Sequence, residues 1–172
     1  MGITRSGRFA AVTNFRDRTE FREHALSRGL MVRRFLTGQD QPGRFVETIR
    51  PREEEYNGFN LLVGDLDAFI YYSNRRDRTD RTTVLEPGIY GLSNHLLNTP
   101  WPKVKRSLRA FGSAIEKPGA PSRGQLFRIL SDQTRAGEGD LPDTGFGVEW
   151  ERVLSAPFIV SPTYGTRAST VI

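Results

Sequence analysis

Runs of apolar and polar residues divide the chain into short strands and amphipathic helices. Apolar or aromatic runs that end at turn residues predict strands, and pairs of them joined by tight turns predict antiparallel hairpins. Apolar positions three or four residues apart predict helices with one buried face. The predicted strands cover residues 2–4, 7–13, 56–64, 68–73, 82–85, 89–92, 157–160 and 166–172, and the predicted helices cover 28–36, 42–50, 101–115, 122–130 and 148–154.

The helix predictions rest on capping residues and on apolar stripes. Ser27, Thr99 and Ser122 each precede a stripe and can cap it. Pro42 and Pro100 suit a first helical turn, because the N–H groups there have no partner within the helix. The side chains predicted to point inward are Leu30, Met31, Phe35, Leu36, Phe45, Val46, Ile49, Val104, Leu108, Phe111, Ile115, Leu126, Phe127 and Leu130.

The first long strand is apolar at almost every position from 8 to 13, which predicts burial on both faces. Such a strand rarely opens a domain. We therefore expect partner strands upstream that are missing from this chain, or a second copy that supplies the pairing. A sheet edge left without those strands predicts a homo-oligomer. The apolar end at Ile172 predicts a second truncation or a strand that completes the sheet.

The stretch from Pro87 to Val104 organises the central part of the chain. It predicts a turn, a short strand, a polar bend at Ser93-Asn94-His95 and the start of a helix. Polar side chains at such a junction lie at the rim of a sheet, where ligands commonly bind. The alternative is an Asx turn in which Asn94 bonds its own backbone, and local sequence favours that alternative. The same pair of interpretations applies to Asn14, after the first long strand.

Composition narrows the class of protein. The chain has 172 residues, 37% hydrophobic and 26% charged, which predicts one globular domain over 1–172. No apolar run is long enough for a membrane span, and no signal-peptide pattern opens the chain, so we expect a cytoplasmic protein without membrane insertion. With no cysteine, disulfides and thiolate nucleophiles are excluded from these residues. His24 and His95 lack metal-ligand spacing, and no metal site is predicted.

The net charge of +5 raises the question of nucleic acid. The arginines alternate with acids, however, as in Arg16-Asp17-Arg18, which predicts a solvated surface and no nucleic-acid partner. The charged segment 16–26 is predicted to be exposed, 75–81 to be a charged loop, and 117–121 a linker.

A series of motifs, taken in order, resembles one known family. It consists of Thr13-Asn14, Ser27-Arg28-Gly29-Leu30, Tyr56-Asn57-Gly58-Phe59-Asn60-Leu61, Tyr72-Ser73-Asn74-Arg75, Gly88-Ile89-Tyr90-Gly91-Leu92-Ser93-Asn94 with Thr99-Pro100-Trp101, and Tyr164-Gly165-Thr166-Arg167. This order resembles the NRDE family, whose eukaryotic members are called transport and Golgi organisation 2 proteins. The resemblance covers nearly the whole chain.

The resemblance implies an α+β fold like that of the N-terminal-nucleophile (Ntn) hydrolases, an αββα sandwich of two antiparallel sheets between helix layers. In the cysteine enzymes of that fold the thiol of the first residue attacks an amide carbonyl, and amide side chains help to hold the oxyanion. The resemblance places Asn14 and Asn94 at such supporting positions, and Arg167 as a pocket arginine that can hold a carboxylate.

The chain departs from the family at its front end. The family's cysteine after the initiator Met and its Asn-Arg-Asp-Glu motif are both missing. We therefore expect a noncatalytic, N-terminally truncated member that binds a small ligand in a residual cleft. The family implies roles in haem or lipid trafficking and in secretory-pathway organisation, and haem is the one cofactor it suggests. The alternative is an amide-bond hydrolase whose cysteine segment lies upstream.

Overall fold

The computed structural model describes residues 1–18, 21–77, 79–116 and 118–172. The predicted charged segments and linker include Thr19, Glu20, Arg78 and Lys117, and at these four positions the predictions lie outside the described residues. The chain divides into two compact units. The first comprises Met1–Gly88 with Ser93–Leu96, and the second comprises Ile89–Leu92 with Leu97–Ile172.

A five-stranded antiparallel sheet forms the centre of the first unit. Its strands are β1 (Gly2–Ile3), β2 (Phe9–Asn14), β3 (Phe59–Gly64), β4 (Phe69–Ser73) and β5 (Thr82–Val84), in the order β1-β2-β3-β4-β5. Sequential order means that each strand pairs with its neighbour along the chain. The predicted hairpins are therefore confirmed. Between β3 and β4, Oδ1 of Asp65 accepts from the N–H groups of Asp67 and Ala68, at 3.0 and 2.9 Å, which fixes the turn.

Two helices, α1 (Gly29–Thr37) and α2 (Pro42–Ile49), contribute to the core of this unit, and a 3₁₀ helix, Arg50–Glu55, follows them. The rings of Phe35 and Phe45 meet edge-on at 5.1 Å, an arrangement that adds about 0.5–1.5 kcal/mol to the burial of the two rings. The buried hydrophobic cluster consists of Ala10, Met31, Val32, Phe35, Phe45, Val46, Ile49, Tyr56, Phe59, Leu61, Val63, Ile70 and Tyr72.

Two burial predictions in this unit are wrong, those for Leu30 and for strand β2. Leu30 is 47% exposed, while Val32, which was not predicted, is buried. Helix α1 begins at Gly29, one residue later than predicted. Its N-cap is Arg28, and Ser27 forms no cap bond with its side chain. Strand β2 is fully buried at Ala10, exposed at Asn14 and half-buried at its other positions, so it is not covered on both faces.

The second unit is helical. It contains α3 (Pro102–Ile115), α4 (Arg123–Leu130), α5 (Val148–Leu154) and a 3₁₀ turn at Glu138–Asp140. Ser122 caps α4 as predicted, and it forms a reciprocal capping box with Gln125. The start of α3 differs from the prediction, because Pro102 disfavours helical backbone at Trp101 and makes that residue the extended N-cap.

Several predicted inward side chains of this unit lie near the surface. Val104 is buried, whereas four others are 36–41% exposed, namely Phe111, Ile115, Phe127 and Leu130. The apolar stripes therefore form helices, but these side chains of the stripes stay partly exposed to solvent.

Three predicted strands are not formed. At 89–92 both backbone groups of Gly91 form hydrogen bonds with Asn98. The N–H of Asn98 donates to the Gly91 carbonyl at 2.7 Å, and Oδ1 of Asn98 accepts from the Gly91 N–H at 2.8 Å. The segments 157–160 and 166–172 meet only around a turn, with one bridge between Val160 and Gly165. A strand needs a partner along its length, and these segments have none among the residues that the structure describes.

The fold is α+β, with one antiparallel sheet of five strands and five α-helices among the described residues. Among these residues no helix has the length and apolar character needed to cross a bilayer.

Candidate functional site

Polar residues cluster where β2 and β4 end and β3 begins. In the sheet register Thr13 lies opposite Asn60, and Asn60 lies opposite Ser73. Because opposite residues of an antiparallel pair share a face, these three side chains form a polar row across three strands. Asn60 and Ser73 are fully buried.

The amide of Asn60 is the centre of this row. Its Oδ1 atom accepts a hydrogen bond of 2.8 Å from the phenol of Tyr71. Its Nδ2 atom donates to Oγ1 of Thr13 at 3.1 Å and to the carbonyl of His95 at 3.0 Å. A buried amide that is satisfied on both sides fixes its partners, because any displacement would leave a buried polar group unpaired.

These bonds tie the segment Ser93–Leu96 to the end of the sheet. The hydroxyl of Thr13 donates to the Ser93 carbonyl at 2.8 Å. The N–H of Arg16 donates to the carbonyl of Asn94 at 2.6 Å. Nδ2 of Asn94 in turn donates to the backbone carbonyl of Asn14 at 3.0 Å, across eighty positions of sequence. Asn94 therefore does not form the local turn that its immediate sequence favoured.

The hydrogen bond brings Asn14 and Asn94 together, as two of the three predicted site residues. Within the described ranges, neither the side-chain amide of Asn14 nor Oδ1 of Asn94 has a hydrogen-bond partner. The pair therefore offers amide donors and acceptors at the rim of the sheet. Their role in supporting a ligand or an oxyanion stays a prediction.

His95 packs beside this pair. Its ring lies on Phe15 with 4.7 Å between ring centroids. Burial lowers the pKa of the His95 imidazole below its ordinary value, because desolvation penalises the charged ring. A neutral imidazole at neutral pH adds polarity to the site without adding charge.

Two arginines lie at Gly58, whose carbonyl also accepts from the N–H of Phe15. The carbonyl of Gly58 accepts from the Phe15 N–H at 2.9 Å and from NH1 of Arg28 at 2.8 Å. Arg75 lies against Gly58, since a Cβ atom there would stand 2.6 Å from its Nε atom. Burial lowers the pKa of the Arg28 guanidinium.

Asn60, Arg28 and Arg75 were missed as site residues. Asn60 carried a signal that could have found it, because it is the one polar side chain in the run Phe59–Val63. The two arginines stood in motifs of the resemblance, but neither was given a role, since only the folded backbone brings them to Gly58.

Arg167 belongs to the second unit, where it is exposed in a segment without regular structure. Its predicted place in a common pocket with Asn14 and Asn94 stays a prediction.

An open cavity of about 570 Å³ lies in the first unit, lined by residues 22–26 and 54–55. None of the predicted site residues lines it. Among the described residues no group of three or more His, Asp or Glu side chains is placed to hold a metal ion. The chemistry at the sheet end is therefore that of hydrogen-bonding amides, a neutral imidazole and guanidinium groups.

Comparison with known proteins gives a consistent family match. A family model described as Transport and Golgi organisation 2 matches residues 1–172. The chain is 36% identical to the Transport and Golgi organization protein 2 homolog of Bos taurus over 188 residues, which covers 100% of the chain and 66% of that relative. It is 34% identical to the Homo sapiens homolog over 184 residues and to the Mus musculus homolog over 185, with the same coverage. The chain thus spans 66% of the length of these curated relatives.

Proposed function

This chain belongs to the Transport and Golgi organisation 2 family, and from that premise we propose that it binds a small ligand, without catalysis, at the polar end of its five-stranded sheet. The site consists of Asn14 and Asn94, held in place by Asn60 and Thr13. The other partners remain as the resemblance and composition suggested: no nucleic acid, no membrane insertion, and a homo-oligomer formed through a sheet edge.

One observation carries the proposal. Nδ2 of Asn94 donates to the backbone carbonyl of Asn14 and forms no turn with its own neighbours. The side-chain amide of Asn14 and Oδ1 of Asn94 therefore stay available to a ligand. Such a pair can donate to a carbonyl or carboxylate oxygen of a ligand, and it can both donate to and accept from a ligand amide. Because the pair rests on a fully buried amide at Asn60, the donors are held in place before a ligand arrives.

The finer assignments of the family extend this proposal. We propose that the chain belongs to an Ntn-hydrolase-like αββα sandwich, of whose two sheets the described residues form one, the five-stranded antiparallel sheet. In that arrangement Arg167 is a pocket arginine for an anionic part of the ligand. The proposed roles are haem or lipid trafficking and secretory-pathway organisation, in a protein of the cytoplasm that forms a single domain over 1–172.

The competing function is an amide-bond hydrolase of the Ntn cysteine class. It needs a thiol nucleophile, and the 172 residues contain no cysteine. Asn14 and Asn94 would then serve the oxyanion rather than a stable ligand. The binding role needs no residue beyond those in the chain, which is why we favour it.

Native mass spectrometry of the purified protein tests the proposal. We expect a small molecule to remain bound to the wild-type chain, and to be lost from Asn94→Ala. Gln133→Ala is the matched control, because it removes an exposed amide in the other unit. Equal occupancy in wild type and Asn94→Ala, or no bound molecule after incubation with cell extract, would contradict the proposed site.

A further inference from the structure

A half-buried arginine next to the proposed site lacks a counter-ion. Arg28 donates one hydrogen bond, to the carbonyl of Gly58. In residues 1–18, 21–77, 79–116 and 118–172 no carboxylate forms an ion pair with it. Burying a guanidinium without an acid costs free energy, and that cost is relieved when an anion binds. The lowered pKa of Arg28 has the same cause.

The position of Arg28 connects it to the amide pair. NH1 of Arg28 and the N–H of Phe15 share one acceptor, the Gly58 oxygen. Phe15 directly follows Asn14 and packs on the ring of His95. The guanidinium therefore lies beside the backbone that carries the Asn14 amide.

A second positive charge lies at the same glycine. An added Cβ at Gly58 would be 2.6 Å from Nε and 3.3 Å from Cζ of Arg75. The absence of a side chain at position 58 is thus what allows Arg75 to come close to the backbone. NH1 of Arg28 donates to the carbonyl of Gly58, a buried residue, and Nε of Arg75 lies beside the same residue.

We propose that Arg28 and Arg75 form an oxyanion-binding subsite, and that the ligand held by Asn14 and Asn94 carries a carboxylate or phosphate group bound there. This inference rests on the proposed function, whose ligand it specifies. Guanidinium groups suit this task because their planar donors match the two oxygens of a carboxylate or phosphate. The neutral His95 ring leaves the two guanidinium charges as the cationic part of the subsite.

Thermal unfolding with small anions tests the subsite directly. Sodium phosphate and sodium acetate serve as separate probes, each compared with sodium chloride at the same ionic strength. An anion that binds only the folded protein raises Tm as its concentration rises. We expect at least one probe to raise Tm above the chloride value, and which one does so distinguishes a phosphate site from a carboxylate site.

Variants locate the effect. In Arg28→Gln the apparent Kd of the active probe is expected to weaken by roughly tenfold or more, because a charge-assisted bond is lost. Arg33→Gln is the matched control, since Arg33 lies on the same helix with its side chain exposed, and its Kd should equal that of wild type. Gly58→Ala should also weaken binding, because the new methyl group displaces Arg75. An Arg28→Gln response equal to wild type, or no effect beyond chloride with either probe, would overturn the subsite.

The two proposals can fail separately. If the molecule seen by native mass spectrometry is lost from Asn94→Ala but fully kept by Arg28→Gln, the ligand site stands and the oxyanion subsite is wrong. If no molecule is found but phosphate or acetate still acts through Arg28, the subsite stands and the amide-pair site is wrong.

Discussion

The phenol of Tyr71 donates a hydrogen bond of 2.8 Å to Oδ1 of Asn60, on the neighbouring strand of the sheet. Both side chains are almost completely buried. Because the same amide also donates to Thr13 and to the His95 carbonyl, this bond is the fixed end of a network that reaches the segment bearing Asn94.

Removing the Asn60 amide should therefore cost more than an ordinary polar substitution. Asn60→Ala leaves the Tyr71 phenol without this acceptor and the His95 carbonyl without this donor. We expect a loss of roughly 2–4 kcal/mol in the free energy of unfolding, since removing one partner of a buried hydrogen bond costs about 1–3 kcal/mol and Asn60 forms more than one such bond. Urea unfolding of Asn60→Ala, Tyr71→Phe and the double variant measures it. If the two single losses simply add, the Asn60–Tyr71 bond does not couple the strands.

The two hairpins of the sheet could be predicted from sequence because their information is local, whereas the pairing of β2 with β3, which lie about 45 residues apart, was not predicted. Apolar runs separated by Asp65-Leu66-Asp67 allow only a hairpin, and the Asp65 side chain closes that turn. The strand at 89–92 could not be judged in the same way. Its residues have strand character, but both the N–H and the carbonyl of Gly91 form hydrogen bonds with Asn98. No local sequence pattern indicates those two bonds.

The site shows the same division. Asn14 and Asn94 stood in recognisable motifs, whereas the bond between them depends on tertiary structure over eighty positions. Arg28 stood in the motif Ser27-Arg28-Gly29-Leu30, but nothing in the sequence gave it a role in the site. Its missing counter-ion is a property of the fold, because it depends on which carboxylates the folded chain brings near.

Acid should weaken the contact between His95 and Phe15. Burial lowers the pKa of His95 from its ordinary value of 6.5, so the folded state favours the neutral ring. The stability that the neutral His95 ring contributes is fully present above the pKa of His95 in the unfolded state. It is lost as pH falls through the lower pKa of His95 in the folded state. Titration of the imidazole proton signals by NMR should show this shift. His24→Gln assigns the remaining signal, since the chain has two histidines. A His95 pKa at or above 6.5 would contradict the expected burial.

Alkali should destabilise the protein through Tyr72. Burial raises the pKa of Tyr72 from 10.0 to about 12, and its hydroxyl donates to the buried carboxylate of Glu53, which also pairs with Arg81. Between these two pH values the folded state keeps a proton that the unfolded state loses, so stability that is present below pH 10 is lost as pH rises.

Absorbance of tyrosinate against pH measures this titration. Tyr72→Phe should lack the component near pH 12, while Tyr164→Phe, with its side chain 52% exposed, should keep it. A Tyr72→Phe curve that retains this component would show that another phenol is responsible.

Gly91 is expected to tolerate no side chain, because α3 packs directly on its backbone. A Cβ atom at position 91 would stand 2.6 Å from Cγ1 of Val104 and 3.1 Å from two atoms of Leu108. Overpacking of this kind costs about 1–3 kcal/mol, so Gly91→Ala should lower the free energy of unfolding by that amount. Gly139→Ala is the control, because a Cβ there meets no atom within 4 Å. Urea unfolding followed by circular dichroism compares the two variants. Equal urea midpoints for Gly91→Ala and Gly139→Ala would mean that Gly91 does not pack closely against α3. The hydrogen bonds between Gly91 and Asn98 would then be what keeps residues 89–92 from forming a strand.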